Sequence, residues 1–268
     1  MERRFRYGDP PQISIGIPSL KNVSQGKNVE LLTDVLLLVV TEEEFLSCYA
    51  FLRDVSRTYI DDLGHVYFGD IGDSPKKVSL VRSSRGSTQV SASQNVVRTA
   101  VDELKPKAVF SVGCCAGLRR EQTQLGDVVI SGKLLTYGDK QIVGDKPQWG
   151  GRKLDVSRNM GCLVKSAADG WQPPLKNPES RNVKVHCNAE ILSGLELKNS
   201  PNECEDLLHQ FPKAIAIEPE GQGQCYYTVY LGNSLTVPSN NYFCIRLCFT
   251  TFSHANYIYN VTYSFRGL

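Results

Sequence analysis

The hydrophobic pattern alternates between short unbroken apolar runs and longer stretches with helical spacing. Asp34 to Val40 is a run of leucines and β-branched residues, as a strand buried on both faces requires. Thr41-Glu42-Glu43-Glu44-Phe45 follows and opens an amphipathic stretch that runs to about Val55. Thr41 is placed to cap a helix there, and carboxylates in a first turn suit the helix dipole. Val66 to Phe68 and Lys77 to Arg82 predict further strands. Val90 to Leu104 has apolar residues at helical spacing and is stopped by Lys105-Pro106. Ala108 to Val112 predicts a second buried strand entering a tight turn at Gly113-Cys114-Cys115-Ala116-Gly117, and Asp127 to Ile130 a third. Beyond them the pattern predicts a helix from Ser157 to Ala168 and strands over Asn182–His186 and Glu190–Ser193. A helix over Cys204–Gln210 and a strand over Ala214–Ile217 complete it. This alternation favours a layered α/β domain.

Three segments differ in composition. Residues 1–30 are polar and rich in Gly, Pro, Ser and Asn, and predict a loosely held extension. Residues 31–221 carry the strand and helix pattern. From Gln222 to Leu268 the only charged residues are Arg246 and Arg266, and seven of the twelve tyrosines fall there. That tail reads as β-rich and unlike the text before it.

Charge and cysteine content narrow the function. Thirty basic residues against 28 acidic ones give a net charge of +2, too balanced to point to nucleic acid or a membrane surface. No apolar run approaches the ~20 residues of a membrane span. No apolar segment follows the basic Met1–Arg6 start as a secretory signal would require, so Asn-X-Ser/Thr matches at Asn22 and Asn260 carry no weight. The nine cysteines form no CxxC pair, and the four histidines do not complete a four-ligand zinc set. The expectation is a cytoplasmic chain with reduced thiols, no metal and no cofactor.

Three features stand at the C-terminal ends of predicted buried strands, where open α/β sheets bind ligands. Glu42-Glu43-Glu44 supplies carboxylates. Gly113-Cys114-Cys115-Ala116-Gly117 lets backbone amides approach a ligand closely; it is neither a dinucleotide fingerprint nor a P-loop. Glu218-Pro219-Glu220-Gly221 supplies two carboxylates, each able to accept a fork of two hydroxyl donors. Taken singly, each also reads as an ordinary helix start or turn.

Four segments in order carry a resemblance: Val39-Val40-Thr41-Glu42-Glu43-Glu44-Phe45, Phe110-Ser111-Val112-Gly113-Cys114-Cys115-Ala116-Gly117-Leu118, Leu125-Gly126-Asp127-Val128-Val129-Ile130-Ser131, and Phe211 to Gly221. Together they resemble the purine/uridine nucleoside phosphorylase superfamily, and within it the 5'-methylthioadenosine/S-adenosylhomocysteine nucleosidases, over residues 34–221. The resemblance implies a three-layer αβα fold around a twisted, partly barrel-like mixed sheet, and a homo-oligomer. It implies cleavage of the N-glycosidic bond of a purine nucleoside, by water in the nucleosidases and by phosphate in the phosphorylases. Glu44 matches the carboxylate that activates the attacking water. Glu220 matches the residue that holds the ribose hydroxyls, with Glu218 in the same motif. Gly113, Cys114 and Cys115 fall near the nucleoside, and Ile191 and Leu192 near the base.

The chain departs from that pattern in two ways. Ser111 stands where phosphorylases carry a phosphate-holding Arg, which favours hydrolysis, although Arg85 keeps an anion contact open. No Asp follows Asp206, so the acid that protonates the leaving purine has no counterpart, and Pro219 replaces a Met. The alternatives are therefore a phosphate-dependent phosphorylase or a nucleoside-binding module with impaired catalysis. The same departure predicts that the tail, standing in place of a core helix and strand, destabilises the sheet.

Overall fold

A computed structural model describes residues 33–84, 93–119, 121–138, 140–143, 146–173, 182–194 and 201–218, together with the backbone of 24–25 and 244–250. Of the sequence-predicted features, Arg85, Pro219, Glu220 and the rest of the extension and tail lie outside the described residues.

The strands join into one mixed sheet. β1 (Ser24–Gln25) pairs with β3 (Arg53–Ile60), followed in space by β4 (Gly64–Ile71), β5 (Lys76–Arg82), β2 (Val35–Val39) and β6 (Ala108–Gly117). The path continues through β12 (Ala214–Glu218), β11 (Val185–Ser193), β7 (Val128–Thr136) and β10 (Lys153–Asp155). A separate hairpin joins β8 (Lys140–Val143) to β9 (Lys146–Trp149).

The run at Val35–Val39 is buried along its whole length because helices cover both sides. Leu36 and Leu38 pack under α2 (Ser93–Leu104) with Val97, Ala100 and Val101. Val35, Leu37 and Val39 face a second core with Phe45 and Cys48 of α1 (Glu42–Tyr49) and Met160 and Val164 of α3 (Arg158–Lys165). Burying one such leucine contributes roughly 1.5–3 kcal/mol. α4 (Pro201–Gln210) closes a third cluster through Leu207, against Leu135 and Leu192. Sheet and helices thus give the expected three layers.

The tail changes the topology. β13 (Cys244–Thr250) pairs in parallel with β6 and antiparallel with β7, so that β6, β12, β11, β7 and β13 close a ring. Closure removes two sheet edges. A strand of the tail is therefore part of the sheet.

Other boundaries shift for physical reasons. α1 stops at Tyr49 instead of running to Val55, because β3 takes up residues from Arg53 and pairs with β4. Gly113–Gly117 is not a turn: β6 runs through it, paired to β13 and then to β12. The two strands expected over 182–193 are a single β11 with a bulge, where Asn188 adopts φ 57° and the register with β7 shifts on either side of Ala189. Gly132 of β7 makes room for it; a Cβ there would collide with the Asn188 side chain.

Candidate active site

The site begins with a helix cap. Thr41 precedes α1, and its hydroxyl accepts the Glu44 amide at 3.2 Å. The Glu44 carboxylate turns back, and its Oε2 accepts the amides of Val40 and Thr41, each at 2.9 Å. This reciprocal box is the sequence signature Thr-x-x-Glu realised in structure. The second oxygen, Oε1, accepts the amide of Cys114 in β6 at 3.1 Å. Glu44 thereby ties the end of β2 to the middle of β6, while Glu42 and Glu43 stay exposed.

Three N–H donors fix this carboxylate. A carboxylate offers about four lone-pair directions. Two are used on Oε2 and one on Oε1, which leaves Oε1 with the open one. Behind it lies Cys48, whose thiol is pushed well up, first by burial and then by the nearby Glu44 charge.

Around this point the structure gathers part of the predicted set. Gly113 and Cys115 are buried in β6, and Cys114 between them is half-buried. β12 reaches the same stretch of β6, pairing Ile217 with Ala116, and ends at the fully buried Glu218. Glu218 is in register with Ser193 of β11, and the Gly194 amide donates to its carbonyl at 3.3 Å. β13 brings Thr250 opposite Cys115 from the other side. Ile191 and Leu192 are both fully buried, Ile191 against Cys115 and Ala216, Leu192 against Leu207 and Trp149.

An open cleft of about 1020 Å³ lies beside the cap. The ends of β2 and β5 line it with Thr41, Arg82, Ser83 and Ser84, and the β3–β4 hairpin supplies Tyr59 and His65. Arg82 Nε donates to the Val40 carbonyl at 3.3 Å, which anchors a cation at the cleft wall. Arg82 and the hairpin escaped the sequence reading, since nothing in a strand-ending Arg or a Tyr-x5-His spacing marks a site. His186 is a satisfied structural histidine, its Nε2 lying 2.9 Å from Asp127 Oδ2. No group of His, Cys, Asp and Glu among the described residues could hold a metal ion, and none of their helices is long and apolar enough to cross a membrane.

Comparisons with known proteins bear on this geometry. The chain matches no protein-family model. Over 172 residues it is 24% identical to the death domain-containing ATP nucleosidase of Amphimedon queenslandica, covering 59% of this chain and 32% of that protein. The chain thus spans about a third of the length of that curated relative. Among solved structures it is similar to the 5'-methylthioadenosine/S-adenosylhomocysteine nucleosidase of Neisseria meningitidis in complex with methylthio-immucillin-A. That match has a TM-score of 0.59 at 19% identity over 80% of this chain and 84% of that one. The S-adenosylhomocysteine nucleosidase of Streptococcus pyogenes gives 0.58 at 18% identity, covering 80% and 82%. Futalosine hydrolase of Helicobacter pylori gives 0.58 at 17% identity, covering 83% and 85%. The mixed sheet with its flanking helices is therefore the nucleoside phosphorylase-like α/β fold that these nucleosidases share.

Proposed function

We propose that the chain hydrolyses the N-glycosidic bond of a purine nucleoside of the methylthioadenosine or S-adenosylhomocysteine class, releasing the free base and a ribose derivative. One observation carries the reading. Glu44 is a carboxylate clamped by the amides of Val40, Thr41 and Cys114, with one lone pair of Oε1 left for a water. A general base must lie within hydrogen-bond reach of the proton it takes. In this scheme the water oxygen bonds to the anomeric carbon, its proton passes to Glu44, and the electrons of the broken C–N bond leave with the purine, which takes a proton from solvent to become the free base. Glu220 holds the ribose hydroxyls in the same scheme, with Glu218, Gly113, Cys114 and Cys115 around the nucleoside.

Ser111 supports water over phosphate as nucleophile. It is fully buried in β6 and supplies no cation, whereas binding a phosphate nucleophile calls for charged donors. The likeness to nucleosidases of known structure supports the same choice. Residence in the cytoplasm and homo-oligomeric assembly belong to this proposal.

Arg82 favours a second reading for the substrate. A cation on the wall of a 1020 Å³ cleft suits a 5'-phosphorylated purine nucleoside, and the Amphimedon relative is an ATP nucleosidase.

The test is adenine release from methylthioadenosine, S-adenosylhomocysteine and ATP, with and without phosphate, alongside Glu44→Gln. Release that needs no phosphate and is lost in the variant is the expected result. Strict phosphate dependence would make the chain a phosphorylase. Binding without release would leave a binding module.

A further inference from the structure

A second concavity of about 430 Å³ lies on the outer face of the strand ring, between the latter half of β7, β10 and the junction of α4 with β12. It shares no lining residue with the cleft beside the Thr41 cap. Strand register sets what faces it. Asp155, Lys133 and Glu190 form one row across β10, β7 and β11, and Lys153, Leu135 and Leu192 form the next row on that face. In the first row Lys133 Nζ lies 3.0 Å from Glu190 and 3.5 Å from Asp155, so these charges satisfy one another. Lys153 extends the second row, and Arg152 and Lys213 join it around the groove.

Two of these cations rise from pinned backbone. The Arg152 amide donates to Thr136 Oγ1 at 2.7 Å, and its carbonyl accepts the Thr136 amide at 2.8 Å. Lys213 sits between the carbonyls of Pro212 and Ala214, both of which accept from the Arg119 guanidinium, at 2.6 and 3.3 Å. The floor is aromatic. Trp149 and Phe211 line it, and Gln210 clamps the Trp149 backbone with both ends of its side-chain amide, at 2.7 and 2.6 Å.

We propose that this groove is a second ligand site, which takes a small phosphorylated molecule carrying a flat apolar group. Three cations lining one concavity match a phosphate dianion, and the only carboxylate among its described lining residues is already engaged by Lys133. The aromatic floor covers the flat part. The clamps fix the backbone from which Arg152 and Lys213 rise, so binding has only the side chains left to order.

Calorimetric titration of the full chain with phenyl phosphate at low salt tests this, with benzyl alcohol and inorganic phosphate as companion probes. Saturable binding at one equivalent is expected for phenyl phosphate, weakened by added salt and not displaced by methylthioadenosine. Arg152→Glu with Lys213→Glu lowers that affinity at least tenfold and leaves methylthioadenosine binding unchanged. Lys165→Glu, an exposed charge reversal on α3, changes neither. Unsaturable binding, equal loss in Lys165→Glu, or unchanged affinity in the double variant would overturn the site. Inorganic phosphate binding as tightly as phenyl phosphate would overturn the aromatic half of the proposal.

Discussion

The amide of Cys114 donates to Oε1 of Glu44 across 3.1 Å, joining a helix cap to a strand seventy residues later in the chain. The cap itself is local, since Thr41, Val40 and Glu44 satisfy one another within a single turn. The contact with Cys114 carries it beyond the helix. It holds the carboxylate against β6, where β12 and β13 also arrive.

Two substitutions at Glu44 separate chemistry from capping. Glu44→Gln keeps an oxygen for the cap, removes the base and sets an NH2 against the Cys114 amide, so adenine release falls by about 10²–10⁴-fold and stability falls by about 1 kcal/mol. Glu44→Ala loses both, and costs about 1 kcal/mol of stability in addition. Steady-state kinetics and calorimetry on the two variants check the split.

Thr41→Ala removes the hydroxyl that accepts the Glu44 amide and costs about 1 kcal/mol, within the range of lost N-caps. Thr41→Ser retains most of it. If urea midpoints of the two variants coincide, the cap is not what holds α1.

These local features were legible in the sequence because they depend on neighbours. The Thr-x-x-Glu box, the all-buried β2 and the helical period of α2 follow from residues within a turn of one another. The three-layer fold was legible through the order of four motifs. The end of α1 was not, because Arg53 to Val55 are claimed by a strand partner at Asp70 to Phe68. Gly113–Gly117 looked like a turn because glycine and small residues also suit a strand that closes a tight ring. The role of Cys244–Thr250 depends on pairing with β6 and β7, more than a hundred residues back, which no local pattern encodes. Ile191 and Leu192 were placed by motif spacing, which says nothing of which strand faces are sealed.

Asp127 is fully buried and gathers three donors: the amides of Gln124 and Lys184, each at 2.9 Å, and the ring of His186. It thereby fixes the starts of both β7 and β11. Asp127→Ala strands those donors and costs about 3–5 kcal/mol, as removal of one partner of a buried charged network does. Urea denaturation with an unchanged slope measures it; a loss under 1 kcal/mol would mean water replaces the carboxylate.

Gly194 is held against the ring of Tyr137, and a Cβ there would come within 2.3 Å of the Tyr137 ring. Tyr137 is itself buried and edge-on to Trp149, so it has nowhere to swing. Gly194→Ala costs about 1–3 kcal/mol. Combining it with Tyr137→Leu recovers part of the loss, so the two effects are not additive.

Asp34 governs an acid-side dependence. Its carboxyl is held below the usual range, chiefly by the hydrogen bond from Lys107, against the opposing effect of burial and with further help from the Lys77 amide. A group with a depressed folded value contributes stability above its unfolded value of about 3.9 and loses it as pH falls through the lower folded value. Lys107 is 82% exposed, so the pair contributes at most about 1 kcal/mol and is screened by salt. Asp34→Asn therefore lowers the melting temperature slightly at pH 7. The gap between the variant and the native chain narrows as pH drops below about 4. A gap that stays constant to pH 2 would show that the carboxylate charge of Asp34 is not what the variant loses.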